Sequence, residues 1–337
     1  MEKSQVFCGN FTAYFLKIKK TLETEAIFTY TSSMGLVKKA RKLLHSKHKF
    51  QKFATKLKNM GYSMRCARLV SFVKKAPPSY GLNDSQQRRQ KIIVSLTSYP
   101  ARFGSIYLCL KSLLLQSAKP DKIILWLACD QGQVTQEMKS LEQYGLTIVC
   151  GVEDLKPHKK YFYSMQEFPN DLIITVDDDV IYPQDLVASL LQTNAKNPGC
   201  VCARRVHKIT FGADAKINPY SKWIDKCKKE RAPSFLLIPT GVGGVLYPPN
   251  SLDKRVFDKA LIKSHCLMAD DIWLKTMELL NGTKVAWVKN NILTPPYTER
   301  SQETALYLDN VHQNKNDEYV NNMMDLYGEE LKAKGFF

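Results

Sequence analysis

The chain has 337 residues and is 44% hydrophobic, enough for one large α/β domain with an appendage, which excludes a disordered protein. Its formal net charge of +17 is unevenly placed: residues 1–91 hold 20 Lys and Arg against 4 Asp and Glu, and the remainder holds 29 against 28. The basic character therefore belongs to the N-terminal segment, and a near-neutral body argues against nucleic acid as a partner. No apolar stretch approaches the ~18 residues of a spanning helix, and no signal-peptide core with a small-residue cleavage site opens the chain, so a cytoplasmic location is expected. The nine cysteines are scattered and odd in number, which suits reduced structural thiols; Cys200 and Cys202 form a close pair without further zinc ligands.

From Leu36 to Val73, apolar residues recur at helical spacing among lysines (Leu43, Leu44, Phe50, Phe53, Leu57, Met60). The pattern predicts a basic helix, and it suits either peripheral contact with an anionic membrane or a solvated appendage. A Pro, Gly and polar stretch at residues 76–90 marks a boundary. The expected division is a basic, mainly helical extension at 1–90, a main domain at 91–316 and a helical tail at 317–337. After the boundary, strands and helices alternate as in a parallel sheet. Strands are expected at 92–96, 122–128 and 147–150, and helices at 105–116, 134–144 and 159–167. A strand ending in the run Asp177, Asp178, Asp179 and a helix at 183–194 follow. Beyond them the pattern loosens through 201–231, then resumes with an apolar run at 235–238, a Gly-rich segment, a helix at 270–280 and a strand at 285–288.

The run from Leu172 to Pro183 carries the chemistry, because it sets three carboxylates on the end of a buried, β-branched strand. Ligands of open α/β sheets gather at the carboxyl ends of strands, and three adjacent like charges are cheap there when a cation sits among them. Extended-chain alternation would point Asp177 and Asp179 to one side as hard oxygen ligands. An acidic turn capping the next helix is the other reading of the same residues.

Four further segments bear on that strand. The loop Thr97, Ser98, Tyr99, Pro100, Ala101, Arg102 leaves the first strand with hydroxyls, a ring and a guanidinium. Lys159 and Lys160 precede the acidic strand. Pro239 to Pro249 is Gly-rich yet lacks the spacing of a phosphate loop or a dinucleotide fingerprint. Asp270 and Asp271 open a helix, where aspartate is also a good cap.

In this order and spacing the segments resemble the metal-dependent glycosyltransferases of the GT-A fold, in particular family-two-like bacterial enzymes of capsule and lipopolysaccharide synthesis. The resemblance covers about residues 91–316 and leaves the basic extension unexplained. It implies an α/β, doubly wound, mostly parallel sheet and a nucleotide-diphosphate sugar as donor. It also implies a glycan or lipid-linked glycan as acceptor, and Mn2+ or Mg2+ as cofactor. By the same resemblance Thr97, Tyr99 and Arg102 hold the nucleotide, Lys160 approaches the donor, and Gly243 and Gly244 line the sugar site. Asp177 and Asp178 face the ribose or the metal shell, with Asp179 as direct metal ligand. Asp271, or else Asp270, is the general base, and His312 would join Asp177 and Asp179 around the metal. A sugar nucleotidyltransferase is the rival enzyme class, and a basic-arm adaptor for membrane or nucleic acid is the non-enzymatic rival.

Overall fold

Residues 33–85, 87–214, 216–299 and 315–336 are described in the computed structural model of the chain. A helix α1 (Ser33–Lys75) leads into nine strands: β1 (Ile92–Thr97), β2 (Lys122–Trp126), β3 (Leu146–Val149), β4 (Leu172–Thr175), β5 (Val201–Ala203), β6 (Val206–Lys208), β7 (Leu237–Pro239), β8 (Val245–Tyr247) and β9 (Val285–Trp287). Between and after them lie α2 (Tyr107–Leu114), α3 (Lys159–Glu167), α4 (Leu186–Lys196), α5 (Asp270–Leu280) and α6 (Lys315–Ala333). Seven strands form one sheet in the order β3-β2-β1-β4-β8-β5-β9, and β6 and β7 form a separate ribbon. All pairings in the large sheet are parallel except those of β8, which runs against β4 and β5. The fold is therefore α/β with a mostly parallel sheet.

The strand order fixes where a ligand can sit. The chain steps outward from β1 through β2 to β3, then returns to lay β4 on the other side of β1. Connections that diverge from neighbouring parallel strands leave a crevice beyond their carboxyl ends. Here that crevice is flanked by the loop after Thr97 and by the acidic triplet.

Strand alternation divides the core between the two faces of the sheet. Ile92, Val94 and Leu96 pack in one cluster with Cys109, Leu110 and Leu113 of α2 and Leu186, Val187 and Leu190 of α4. Ile93, Ile124, Trp126 and Ile173 gather with Tyr163 and Met165 of α3. A further cluster joins β5, β8 and β9 to α5, and Met323, Tyr327 and Leu331 of α6 are buried in it. Each such aliphatic side chain contributes about 1.5–3 kcal/mol on burial.

Two elements depart from expectation. The helix expected at 134–144 is broken into Gln136–Lys139 and a 3-10 turn Glu142–Tyr144. The Thr135 side chain caps its start by accepting from the Met138 amide, and Gly145 ends the turn at a φ of 103°. The acidic strand stops at Thr175, so the triplet lies beyond the ladder and strict alternation no longer governs it.

The described residues up to Gly61 and those from Tyr62 onward fall into two units. In the second unit, Leu69 and Val73 of α1 are buried with Ile181 and Ile292, and the Tyr62 hydroxyl donates to the main-chain oxygen of Thr294. The following polar stretch lies against the body as well: the Gly81 amide donates to Tyr144 O at 2.8 Å, and Arg88 pairs with Asp121 at 2.9 Å. Among the described residues no helix is long and apolar enough to cross a membrane.

Candidate active site

The site is built outward from a buried polar network under the sheet. The Trp126 indole donates to Ser164 Oγ at 2.8 Å and to Ser95 Oγ at 3.1 Å, and Ser164 donates to Ser95 at 2.7 Å. Ser95 Oγ in turn donates to the main-chain oxygen of Lys160. These bonds pin the first turn of α3 against β1 and β2. His158, just before it, is fixed at both ring nitrogens: Nε2 donates to Cys266 O at 2.9 Å and Nδ1 lies 2.9 Å from the Tyr161 hydroxyl. Burial pushes its pKa down to about 4, so the ring is a neutral structural strut at physiological pH.

So anchored, Lys160 directs its ammonium into the crevice. Nζ lies 2.6 Å from Asp177 Oδ1 and 2.9 Å from Asp270 Oδ2, and the side chain is buried. Burial alone would lower its pKa, but Asp177, Asp270 and Asp271 outweigh it and hold the group charged. The loop after β1 supplies a second cation. Arg102 Nη1 lies 2.5 Å from Asp178 Oδ1 and 3.4 Å from Asp179 Oδ2, and Ser98 Oγ donates to Asp178 Oδ2 at 2.5 Å. Asp178 and Asp179 thus both meet Arg102 while Asp177 turns to Lys160. Alternation had grouped Asp177 with Asp179; the chain has left the ladder by that point, and the two cations sort the carboxylates instead.

The carboxylates differ in their proton affinity. Burial, then the charges of Asp177 and Asp178, push Asp179 up to about 7. Asp178 is also raised by burial, against the pull of Arg102. For Asp270 burial acts upward, yet Lys160 and then His158 bring it below the ordinary range. Asp271 goes the other way: burial and the adjacent charge of Asp270 hold it well above the usual value. Its Oδ1 accepts the Gly241 amide at 3.1 Å, which fixes the carboxyl toward the crevice.

Gly241 leaves room for the ion pair of Asp177 and Lys160. A Cβ there would stand 2.8 Å from both Asp177 Oδ1 and Lys160 Nζ. Gly243 abuts the main chain of Arg205, and Gly244, at a φ of +85°, abuts Leu186. Gly241 is therefore the glycine of this segment beside the acidic cluster. Thr97 donates to Trp126 O at 2.8 Å, and Tyr99 is 38% exposed with the Arg102 guanidinium 5.5 Å from its ring centroid. His312 lies outside the described residues.

Five carboxylates (Asp177, Asp178, Asp179, Asp270, Asp271) here meet two cations, Arg102 and Lys160. Such an excess repels a diphosphate unless a divalent cation intervenes. Among the described residues no three His, Cys, Asp or Glu side chains form a ready cage. Mn2+ and Mg2+ need none, since they take one or two carboxylates and leave other positions to phosphate and water. The oxygen donors and the charge excess fit such an ion.

Ser98, Gly241 and the Trp126, Ser95 and Ser164 network were not singled out from sequence. Ser98 and Gly241 lie inside segments that were, and only the three-dimensional contacts distinguish them from their neighbours. The buried serines of the network carry no sequence signal.

No protein-family model matches the chain, and no curated protein does. Among solved structures it is similar to a mannosyltransferase from Pyrobaculum calidifontis in complex with GDP-Man and Mn2+, at 13% identity and a TM-score of 0.38 over 71% of this chain. It is also similar to GalNAc-T7 with UDP, GalNAc and Mn2+, at 10% identity and a TM-score of 0.42 over 71% of this chain. A third is glucosyl-3-phosphoglycerate synthase from Mycobacterium tuberculosis with Mn2+, UDP and glucosyl-3-phosphoglycerate, at 17% identity and a TM-score of 0.27 over 38% of this chain and 51% of that one. The match spans 65% and 52% of the lengths of the first two. At this level of likeness the functional reading rests on the side chains of the site.

Proposed function

We propose that the chain is a metal-dependent glycosyltransferase of the GT-A type, moving a hexose from a nucleotide-diphosphate sugar to a glycan or lipid-linked glycan, in surface polysaccharide synthesis. The observation that carries this reading is the carboxylate excess at the point where β1 and β4 diverge, with one member, Asp271, oriented and made basic. A divalent ion held by Asp179 and Asp177, with His312 as a further candidate ligand, would supply charge neutralisation for the departing diphosphate. Asp271 accepts the proton of the acceptor hydroxyl as that oxygen bonds to the anomeric carbon and the bond from that carbon to the diphosphate breaks. A base on the acceptor side implies inversion at that carbon.

Asp270 is the weaker candidate for the base, because its ion pair with Lys160 lowers its basicity; its part is to position Lys160. Arg102 and Ser98 hold Asp178. On this reading Thr97 and Tyr99 bind the nucleotide, and Gly243 and Gly244 line the sugar site. A nucleotidyltransferase is less well supported, since it would need a Gly- and Arg/Lys-rich phosphate loop after β1, where this chain has a glycine-free turn from Ser98 to Arg102 whose one cation is tied to carboxylates. The test is whether the purified chain hydrolyses a nucleotide-diphosphate sugar only with Mn2+ or Mg2+.

The same reading puts the enzyme on the cytoplasmic face of a membrane, with the basic extension touching anionic lipid. Residues 1–91 carry the charge excess, and Leu57, Met60 and Met64 are exposed along α1. Each Lys or Arg near such a surface is worth about 1 kcal/mol. The informative truncation removes residues 1–61 and spares the turns from Tyr62 that pack in the body. It should abolish salt-sensitive sedimentation with anionic vesicles and leave donor hydrolysis intact. Equal sedimentation before and after truncation would remove the membrane role.

A further inference from the structure

One segment left unused by this reading is residues 201–231. It holds nine Lys and Arg against three Asp and Glu, within a body that is otherwise near neutral. Lys222, Lys226, Lys229 and Arg231 are all exposed. The segment connects to the site through Arg205. Its main chain lies against Gly243, where a glycine Cβ would stand 2.7 Å from Arg205 Cβ, and its oxygen accepts the Thr240 amide at 3.1 Å. The guanidinium Nη1 donates to Thr240 Oγ1 at 3.1 Å, one residue before the glycine that binds Asp271. Outward, Nη2 lies 3.6 Å from Asp225 Oδ1, next to Lys226. His207 Nδ1 lies 3.1 Å from the same carboxylate. Among the described residues Asp225 is the acid in contact with this guanidinium, and its side chain is 59% exposed.

We infer that this surface binds an anionic group on the acceptor, and that Arg205 is a specificity-determining residue that reads it beside the base. The inference rests on the glycosyltransferase reading and adds the chemical class of the acceptor: a saccharide bearing a carboxylate or phosphate close to its reactive hydroxyl. Guanidinium recognises either anion by paired hydrogen bonds, and surrounding lysines raise its local concentration. Asp225 holds the fork until the anion arrives. The lysines from Lys222 onward form the outer part of the same positive field.

Binding is measured by calorimetry without donor, using three probes: maltotriose, a trisaccharide ending in glucuronate, and a short-chain prenyl diphosphate hexose. At least one anionic probe should bind roughly 10-fold or more tightly than maltotriose, with an affinity that falls as salt rises. The preferred probe distinguishes a carboxylated glycan from a lipid-linked phosphate. Arg205→Gln should bring the anionic probe toward the neutral one, and Arg205→Lys should restore part of the difference. The triple exchange of Lys222, Lys226 and Lys229 to Glu should lower anion affinity without involving any buried side chain. Equal binding of neutral and anionic probes, no binding of any probe, or an anion preference unchanged in both Arg205→Gln and the triple exchange would overturn the inference. Nucleoside-diphosphate binding with Mn2+ is titrated in parallel; its absence would instead count against the donor site.

Discussion

Asp271→Asn should lower the rate of glycosyl transfer by roughly 10²-fold or more while leaving donor affinity close to that of the parent chain. The substitution keeps volume and the oxygen that accepts the Gly241 amide, so the local fold is retained and only the proton acceptor is lost. The contrast with its neighbour is the sharper part of the expectation. Asp270→Asn removes half of the carboxylate cradle around Lys160, so it should disturb donor binding as well as turnover. Steady-state kinetics on both variants separates the two. If Asp271→Asn remains active and Asp270→Asn alone loses turnover at unchanged donor affinity, the base is Asp270 and the assignment drawn from its low basicity is mistaken.

The second large effect concerns Asp179. Asp179→Ala should weaken metal-dependent nucleotide-diphosphate binding by roughly 10² or more, beyond the usual loss for a group that merely supports a ligand. Removing one of three adjacent carboxylates relieves repulsion, so the variant should stay folded, with an unfolding temperature no lower than that of the parent. The contact of this residue with Thr298 runs through its main chain and survives the change: the Thr298 amide donates to Asp179 O at 2.7 Å. Calorimetry with UDP or GDP, with and without Mn2+, reads the effect. Parental affinity in the variant would remove Asp179 from the metal shell.

The strands were legible in sequence because they are mostly apolar and β-branched: Ile92 to Leu96 and Leu172 to Thr175 are buried on both faces, and composition marks them. The helix at 134–144 was not, since Thr135 and Gly145 impose local turns that helical spacing does not reveal. In the site, charge type and order along the chain pointed to the acidic triplet, Lys160, Arg102 and the Asp270 and Asp271 pair. Their partners were beyond reach of sequence. Which carboxylate meets which cation depends on where β4 ends and how α3 is pinned, and those follow from Trp126, Ser95 and Ser164 in three separate elements. The same limit applies to Gly241: in a segment with three glycines, only the distances to Asp177 and Lys160 tell which one stands beside the acidic cluster.

In the proposed reaction this carboxylate cluster works on a nucleotide-diphosphate sugar through a divalent ion. Incubating the purified chain with a panel of nucleotide-diphosphate sugars, with Mn2+ or with chelator, and following free nucleoside diphosphate and free sugar, tests it most directly. Slow release of both from at least one donor, abolished by chelator, is the expected result. Metal-dependent conversion of a nucleoside triphosphate and a sugar phosphate to pyrophosphate, or donor cleavage undiminished in chelator, would contradict it.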